Sequence, residues 1–534
     1  MPIDRITPQT LHKWLAAPDE IAVLDVRDEG IYAHGHLLLA ASLPLAALEL
    51  EAPRRLPRRD VSIVLIDDQP DRAQRAATLL TEGGYSRISL LEGGNTAWAA
   101  AGFPLFSGLY VPSKAFGEVV EHVRHTPRIT AETLLQWRAS KKPHLLVDSR
   151  PFEEAQVFSM PGSLSCPGAE LLRRVPAAVA PNVPVVVHCA GRTRSIIGAQ
   201  SLIDAGIPNP VFALENGTMG WYLTGQPLTH ASAEWLPARD GRTARARALA
   251  TMQRAGVALI DAATLARFEQ DSTRTLYIFD VRLPEAYRAA HLKGALNAPG
   301  GQLIQSTDVY APVRGARIVL VDDDLVQAPM TAHWLAQMGW DVHVFDLPGN
   351  PQPERLVSGD APRVLLKEPR LTPLLSVSMI QAALHTPDLR GLRLFDCRDS
   401  RRYRDGHIPG AQFLIRSDIP RLLDDTDRAH TLVFISDDEY LARFAAADAV
   451  AAGFRAKWLD GGYTEWINRT GPVTTSDAHY RSAPVDAWYS PYQLESGMEE
   501  AMREYISWET GLLHRLQDEP GIHFKLSPAL QAHE

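Results

Sequence analysis

At 534 residues the chain is too long for one ordinary core, and at roughly 150 residues per domain it implies three or four units. Its 45% hydrophobic and 22% charged residues are ordinary for a soluble globular protein, while a net charge of −9 and a pI near 6.1 argue against a nucleic-acid binder, which would show a basic face. No apolar run approaches the ~20 residues that span a membrane, the opening Met1-Pro2-Ile3-Asp4-Arg5 lacks a basic-then-apolar signal, and three cysteines (Cys166, Cys189, Cys397) cannot form a disulfide framework, so a reducing cytoplasm is the expected location, with neither membrane nor nucleic acid as partner.

In chain order, the first marked element is an apolar strand ending in Leu24-Asp25-Val26-Arg27. The same strand and Asp-x-Arg turn return at Val147-Asp148-Ser149-Arg150, Phe279-Asp280-Val281-Arg282 and Phe395-Asp396-Cys397-Arg398, with the aspartates 123, 132 and 116 residues apart. A period this long means whole domains in tandem. After each turn comes a histidine or its substitute: His36, Ser159, His291 and His407. A second apolar strand follows at Val61–Ile66, Val185–His188, Ile318–Val321 and Leu432–Ile435. The residue just beyond each is Asp67, Cys189, Asp322 and Ser436, 40 to 42 residues after the aspartate. Alanine-rich segments with helical spacing come next, such as Arg72–Leu80 and Thr331–Leu335. Copies one, two and four then close on a short strand and a glycine-to-tryptophan motif: Glu92–Trp98, Leu214–Trp221 and Asp460–Trp466. Copy three has only Pro348-Gly349-Asn350, which predicts the loss of its closing helix.

Strands alternating with helices predict α/β domains, each a small parallel sheet flanked by helices. The expected domains are 1–107, 126–230, 255–350 and 373–475, joined by linkers near 107–125, 230–254 and 351–372. Residues 476–534 belong to no repeat. They hold Trp488-Tyr489-Ser490-Pro491-Tyr492 and a helix predicted from Met498 to about Leu516. That is too aromatic for a disordered tail, so the extension is expected to pack on the repeats or on a second subunit.

The chemistry concentrates in copy two, at His188-Cys189-Ala190-Gly191-Arg192-Thr193-Arg194-Ser195. A cysteine between a strand end and a helix N-terminus sits among backbone N–H groups and the positive end of the helix dipole. Two guanidiniums add positive charge, and all of these favour the nucleophilic thiolate. The amides from Ala190 to Ser195, including Gly191 and Thr193, are expected to hold an anion, with Arg192 and Arg194 on its charged oxygens. Thr193 and Ser195 read equally well as capping residues. Copies one, three and four lack the cysteine, the glycine and the arginine pair, which leaves one active centre and three structural copies. Asp148 and Arg150 read as a structural turn, because the same pair occurs in every copy. His188 points to the opposite face from Cys189, and Cys166 and Cys397 read as buried apolar residues. No His/Cys spacing suggests a metal, and no cofactor is expected.

The loop resembles the active-site loop of the rhodanese superfamily of sulfurtransferases. So do Leu146–Arg150, the Met160-Pro161-Gly162-Ser163 turn (Ser159 standing where histidine is usual) and the closing Leu214–Trp221 motif. The resemblance implies four rhodanese-like domains with one catalytic centre. It implies a thiosulfate-like or low-molecular-weight persulfide donor, a persulfide on Cys189, and cyanide, a small thiol or a protein thiol as acceptor. A homodimer stays open. Two alternatives stand beside it: a sulfur carrier that uses the blank copies as docking surfaces, and a cysteine-dependent phosphatase or arsenate reductase. The last needs a Cys-x5-Arg loop, whereas the sixth position after Cys189 is Ser195. A redox sensor pairing Cys189 with Cys166 is a further possibility.

Overall fold

Valine, leucine and isoleucine runs of four or five residues form the central strands, since a strand covered on both faces reads as an unbroken apolar run. The computed structural model describes residues 3–237, 242–476, 478–516, 519 and 521–527. In copy two the sheet order is Glu234–Trp235, Leu164–Ser165, Leu145–Asp148, Val185–His188, Val211–Leu214 and Arg128–Ile129, all parallel. Leu145 to Asp148 run in register with Val185 to His188, so Asp148 and His188 end the central strands side by side. Cys189 therefore lies just past the carboxyl edge, where parallel sheets bind ligands.

Copy three repeats the order with Ala258–Ile260, Asp341–Phe345, Arg317–Val321, Leu276–Asp280 and Leu296–Asn297. Copy four does so with Leu374–Leu375, Arg455–Leu459, Thr431–Ile435, Leu392–Asp396 and Ala411–Phe413. Copy one lines up Asp4–Ile6, Ile88–Leu91, Ser62–Ile66 and Ile21–Asp25, with Ala41–Ser42 beside the last. The closing helices are Gly94–Ala100, Gly217–Leu223 and Gly462–Asn468. Copy three has none: after Asp341–Phe345 come a turn and the single 3-10 turn Pro353–Arg355.

The Asp-x-Arg turn has one construction throughout. In copy two Arg150 donates from Nε and Nη2 to the Asp148 carboxylate at 2.7–3.2 Å, and from Nη2 to Phe158 O at 2.5 Å. Arg27, Arg282 and Arg398 make the same bonds to Asp25, Asp280 and Asp396 and to the carbonyls of Gly35, Ala290 and Gly406. Copies one, three and four stack a tyrosine on the following histidine, with centroids 3.8, 3.7 and 4.1 Å apart in Tyr32–His36, Tyr287–His291 and Tyr403–His407. Copy two has Ala155 and Ser159 at those positions, and Ser159 Oγ donates to Asp148 Oδ2 at 2.7 Å.

The chain divides into two compact units. One gathers copy one from Val23 and the stretch Val364–Tyr489, which holds copy four. The other holds Leu109–Arg363, with copies two and three, and the segment from Ser490. Two of the three stretches expected to be linkers hold regular structure, while 351–372 has only the turn Pro353–Arg355 and the two-residue strand Leu356–Val357. Residues 107–125 contain the helix Val111–Arg124. Residues 230–254 contain the outer strand Glu234–Trp235 and the helix Arg242–Arg254, whose Ala244 and Ala248 enter the copy-two core; 238–241 lie outside the described residues. The extension begins inside a domain: His479–Tyr480 pairs with Ala411–Phe413 as the last strand of copy four. It ends in the helix Met498–Arg515 and a tail packed on copies two and three, and 528–534 lie outside the described residues. Among the described residues no helix is long and apolar enough to cross a membrane.

Candidate active site

The strand Val185–His188 delivers Cys189, and the helix Thr193–Asp204 starts four residues after it. Cys189 is 3% exposed. Ser195, in the first helical turn, donates its hydroxyl to Cys189 Sγ at 3.1 Å. The closing helix fixes the loop from the other side: Thr218 N donates to Cys189 O at 2.8 Å and Met219 N to Ala190 O at 3.1 Å. Gly217, at φ +54, comes so near that a Cβ there would lie 2.4 Å from Cys189 O, so the closing motif needs a glycine at that point.

Copy three shows what this loop is built to hold. The Asp322 carboxylate stands at the nucleophile position and accepts from the amides of Leu325, Val326 and Ala328 at 3.0, 2.9 and 2.9 Å. Val326 precedes its helix with φ −116 and ψ −55, and Arg192 precedes the catalytic-loop helix with φ −116 and ψ −57. Counted back from these residues, the copy-three loop is one residue longer, and the amides of Gly191, Arg192 and Arg194 correspond to its three donors. Such a ring of amides at a helix N-terminus is an anion cradle. Even with three donors, burial pushes the Asp322 carboxyl up to about 7. At Asp67 burial likewise raises the carboxyl to about 6, and one of its oxygens has no hydrogen-bond partner among the described residues.

The guanidiniums expected on the donor are held by carboxylates. Arg192 donates from Nε and Nη2 to Glu118 at 2.7 and 2.8 Å, from Nη2 also to Glu121, and from Nη1 to Asn216 Oδ1 at 3.2 Å. Arg194 forms a two-point pair with Glu154 at 2.9 Å and adds Gln302 Oε1 at 3.2 Å. Glu118 and Glu121 lie on the helix Val111–Arg124, which no loop motif encodes. Gly117 of that helix sits against Thr193, where a Cβ would meet its Cγ2 at 2.9 Å.

The C-terminal segment forms a roof. Thr193 donates its hydroxyl to Glu509 Oε1 at 2.7 Å, and the carboxylate is 1% exposed. A Cβ on Gly191 would lie 3.1 Å from Glu509 Oε2 and 3.3 Å from the Tyr505 ring. Tyr492 reaches Thr218 Oγ1 at 2.6 Å and Ala190 O at 3.3 Å and packs on Phe158, with centroids 4.2 Å apart. Lys114, 4% exposed, lies 4.9 Å from the ring centroids of both Tyr505 and Trp508. Beside Arg192 a cavity of about 590 Å³ opens between Glu118, Glu121, Glu215 and Ile506.

The remaining sequence candidates fall elsewhere. Cys166 lies in the apolar core with Val147, Val185 and Leu171, where burial pushes its thiol up; Cys397 is buried with Phe395 and Phe434 to the same effect. His188 shares a hydrogen bond with Ser163 Oγ at 2.6 Å, and burial lowers it to about 4, which keeps it neutral. Among the described residues no group of three or more His, Cys, Asp or Glu is placed to hold a metal. Lys114, Glu118, Tyr492, Tyr505 and Glu509 were not legible as site residues. The density of aromatics in the extension announced packing without saying on what.

A parallel α/β domain with a cysteine at a strand end and an amide-rimmed loop opening a helix is the class of fold and site that copy two presents. A sequence profile for the Rhodanese-like domain matches residues 7–101, 130–224, 251–349 and 376–469. The chain belongs to the rhodanese family of sulfurtransferase enzymes, with four such domains. The crystal structure of a thiosulfate sulfurtransferase from Pseudomonas aeruginosa is similar to 98% of this chain and 100% of its own, at 42% identity and a TM-score of 0.92. A sulfurtransferase of Allochromatium vinosum is 28% identical over 103 residues, 19% of this chain and 94% of that protein. An uncharacterized protein of Synechocystis is 35% identical over 100 residues, 18% of this chain and 54% of its own, so the match spans about half the length of that relative.

Proposed function

We propose that the chain moves a sulfane sulfur from a small anionic donor, thiosulfate or a low-molecular-weight persulfide, through a persulfide on Cys189 to a thiol or cyanide acceptor. The Cys189 thiolate attacks the outer sulfur of thiosulfate. The S–S bond breaks and sulfite leaves with its electron pair. An acceptor thiolate or cyanide then attacks the outer sulfur of the persulfide, and the Cys189 thiolate is restored. This is ping-pong chemistry on a covalent intermediate. The amides of Gly191, Arg192 and Arg194 hold the anionic sulfur, and the Ser195 hydroxyl donates to the inner one. Arg192 and Arg194 act chiefly as posts that fix the loop between Glu118 and Glu154.

The observation that carries this reading is the amide cradle, which copy three fills with its own carboxylate and copy two pairs with a cysteine. Against phosphoryl transfer stands the serine at the sixth position after Cys189, which leaves no arginine for the phosphoryl oxygens. A carrier that hands sulfur to another protein needs a wider opening than a 3% exposed cysteine offers. Cytoplasmic location is part of the proposal and rests on cysteine usage. The test is the intact mass after incubation with thiosulfate or glutathione persulfide. One added sulfur, mapped to the peptide containing Cys189, is expected. Cys189-dependent hydrolysis of an aryl phosphate with no sulfur gained would overturn the reading.

A further inference from the structure

Copies two and three meet along a seam of glycines. A Cβ on Gly168 would lie 3.6 Å from Gly301 Cα, and one on Gly300 would lie 2.1 Å from Thr331 Oγ1. Gly300 and Gly301 open the helix Gly300–Gln305, and Thr331 lies on the helix Gln327–Gln337. Because the glycines carry no side chain, a cleft in two parts runs between the copies. The outer part, about 560 Å³, is walled by Phe152, Trp235, Leu283 and Pro284, with the Phe152 and Trp235 rings stacked at 4.7 Å. The inner part, about 30 Å³, joins it at a neck of Ser149, Gly168, Ala169 and Gly301 and ends against Leu172, Ile197, Met330 and Trp334. Thr193 and Arg194 also line the inner part, so it touches the first turn of the catalytic-loop helix. Three polar atoms of the lining residues are buried without hydrogen-bond partners among the described residues: Thr331 Oγ1 and Gln305 Oε1 in the inner part, and Gln327 Oε1 in the outer. These residues are 1, 8 and 2% exposed. Gln327 donates its amide to Glu170, which fixes the other end of the amide as the open acceptor.

A buried polar atom left unmet is costly. A lone water in the inner part would turn its remaining sides to Leu172, Ile197, Met330 and Trp334, whereas a buried water typically holds about three polar partners. We infer that this cleft binds a small uncharged molecule with an apolar body and a terminal hydroxyl or primary amide. The tip passes the glycine neck, donates to Gln305 Oε1 and accepts from Thr331 Oγ1. The body rests in the outer part against Phe152, Trp235 and Leu283, in a volume usual for a small-molecule site. A charged tip is refused because the buried charges at the cleft are already paired, Arg194 with Glu154 at 2.9 Å and Arg174 with Glu170 at 2.6 Å, and leave it no counter-ion. The site is distinct from the sulfur-transfer centre and does not rest on that reading, since Cys189 lines neither part. It is nevertheless in contact with the catalytic loop: Gln302, on the wall of the outer part, accepts from Arg194 Nη1 at 3.2 Å. Copy three, which carries no cysteine of its own, thus supplies half of a second binding site.

The test is calorimetric titration of the full-length protein with 3-phenylpropan-1-ol, which has the apolar body and the hydroxyl tip. One molecule per chain should bind with a Kd below about 1 mM, a scale within reach of about ten non-hydrogen atoms. The 3-phenylpropanoate anion, of the same shape with a charged tip, should bind at least about tenfold more weakly. Gly168→Ala sets a methyl in the neck, 3.6 Å from Gly301 Cα, an ordinary contact that the fold accommodates. Thr331→Val keeps the side-chain shape and removes the hydroxyl. Each should weaken binding of the alcohol by at least about fivefold. No binding of the alcohol, equal affinity for the anion, or unchanged affinity in either variant would overturn the assignment and leave the cleft to water alone. If Gly168→Ala fails to fold, Thr331→Val and the anion decide.

Discussion

The loops of copies two and three end equivalent strands and open equivalent helices, and the residues that precede those helices share one backbone conformation. In copy three the cradle is closed by the carboxyl of Asp322, which accepts from three amides. In copy two the same place carries Cys189, whose sulfur meets only the hydroxyl of Ser195 among protein donors whose bonds are described. The comparison separates the anion site, which belongs to the fold, from the chemistry, which belongs to one side chain. It also explains why a blank copy keeps the loop: with the carboxylate in place, the cradle is a helix-capping device.

Replacing Cys189 breaks the comparison most completely. Cys189→Ser should lower sulfur loading by about a thousandfold or more. Mass spectrometry after thiosulfate treatment reads this directly, and retained loading would show that the cradle of copy two is as structural as that of copy three. The reverse change should gain nothing: in Asp322→Cys the new thiol sits where the carboxylate is fully buried, with no Ser195 equivalent beside it. Loading should remain at one sulfur per chain, and a second equivalent would mean that the side chain alone makes the site.

Smaller effects sharpen what surrounds the loop. Arg192→Ala strips the partner from Glu118, a buried carboxyl already raised to about 7 by burial, and should destabilise the unit by about 3–5 kcal/mol. Thermal melting should show part of this recovered in the Arg192→Ala, Glu118→Gln double variant. Ser195→Ala removes one hydroxyl from Cys189 Sγ, about 1 kcal/mol, and should slow alkylation of Cys189 at neutral pH by roughly fivefold.

The smallest effect is on copy three. The Asp322 carboxyl is raised from 3.8 to about 7 in the folded chain, so it favours the fold while protonated, and that contribution fades as the pH rises through about 7. Asp322→Asn should therefore match the unaltered protein at pH 4 and melt a few degrees higher at pH 8. A gain that is equal at both pH values would show that the carboxylate is not charged inside its cradle.

The sequence by itself determined the four repeats, their parallel sheets and the one cysteine among the loop positions. Strand periodicity, the Asp-x-Arg turns and the closing glycines are local patterns, and each local pattern has a local structural cause: in the closing motif, Gly217 must lie within a Cβ's reach of Cys189 O. The missing helix of copy three was readable for the same reason, from its shortened motif. Only the tertiary structure decided what stands around the loop. It turned Arg192 toward Glu118 and Arg194 toward Glu154, and it brought Glu509 onto Thr193 and Lys114 onto the Tyr505 ring that lies over Gly191. Those residues are 75 and 320 positions from the cysteine, on helices whose patterns report only their own buried faces. A charge does not encode its partner in its neighbours; the pairing is set when the helices pack, because a buried ion must find its counter-ion there.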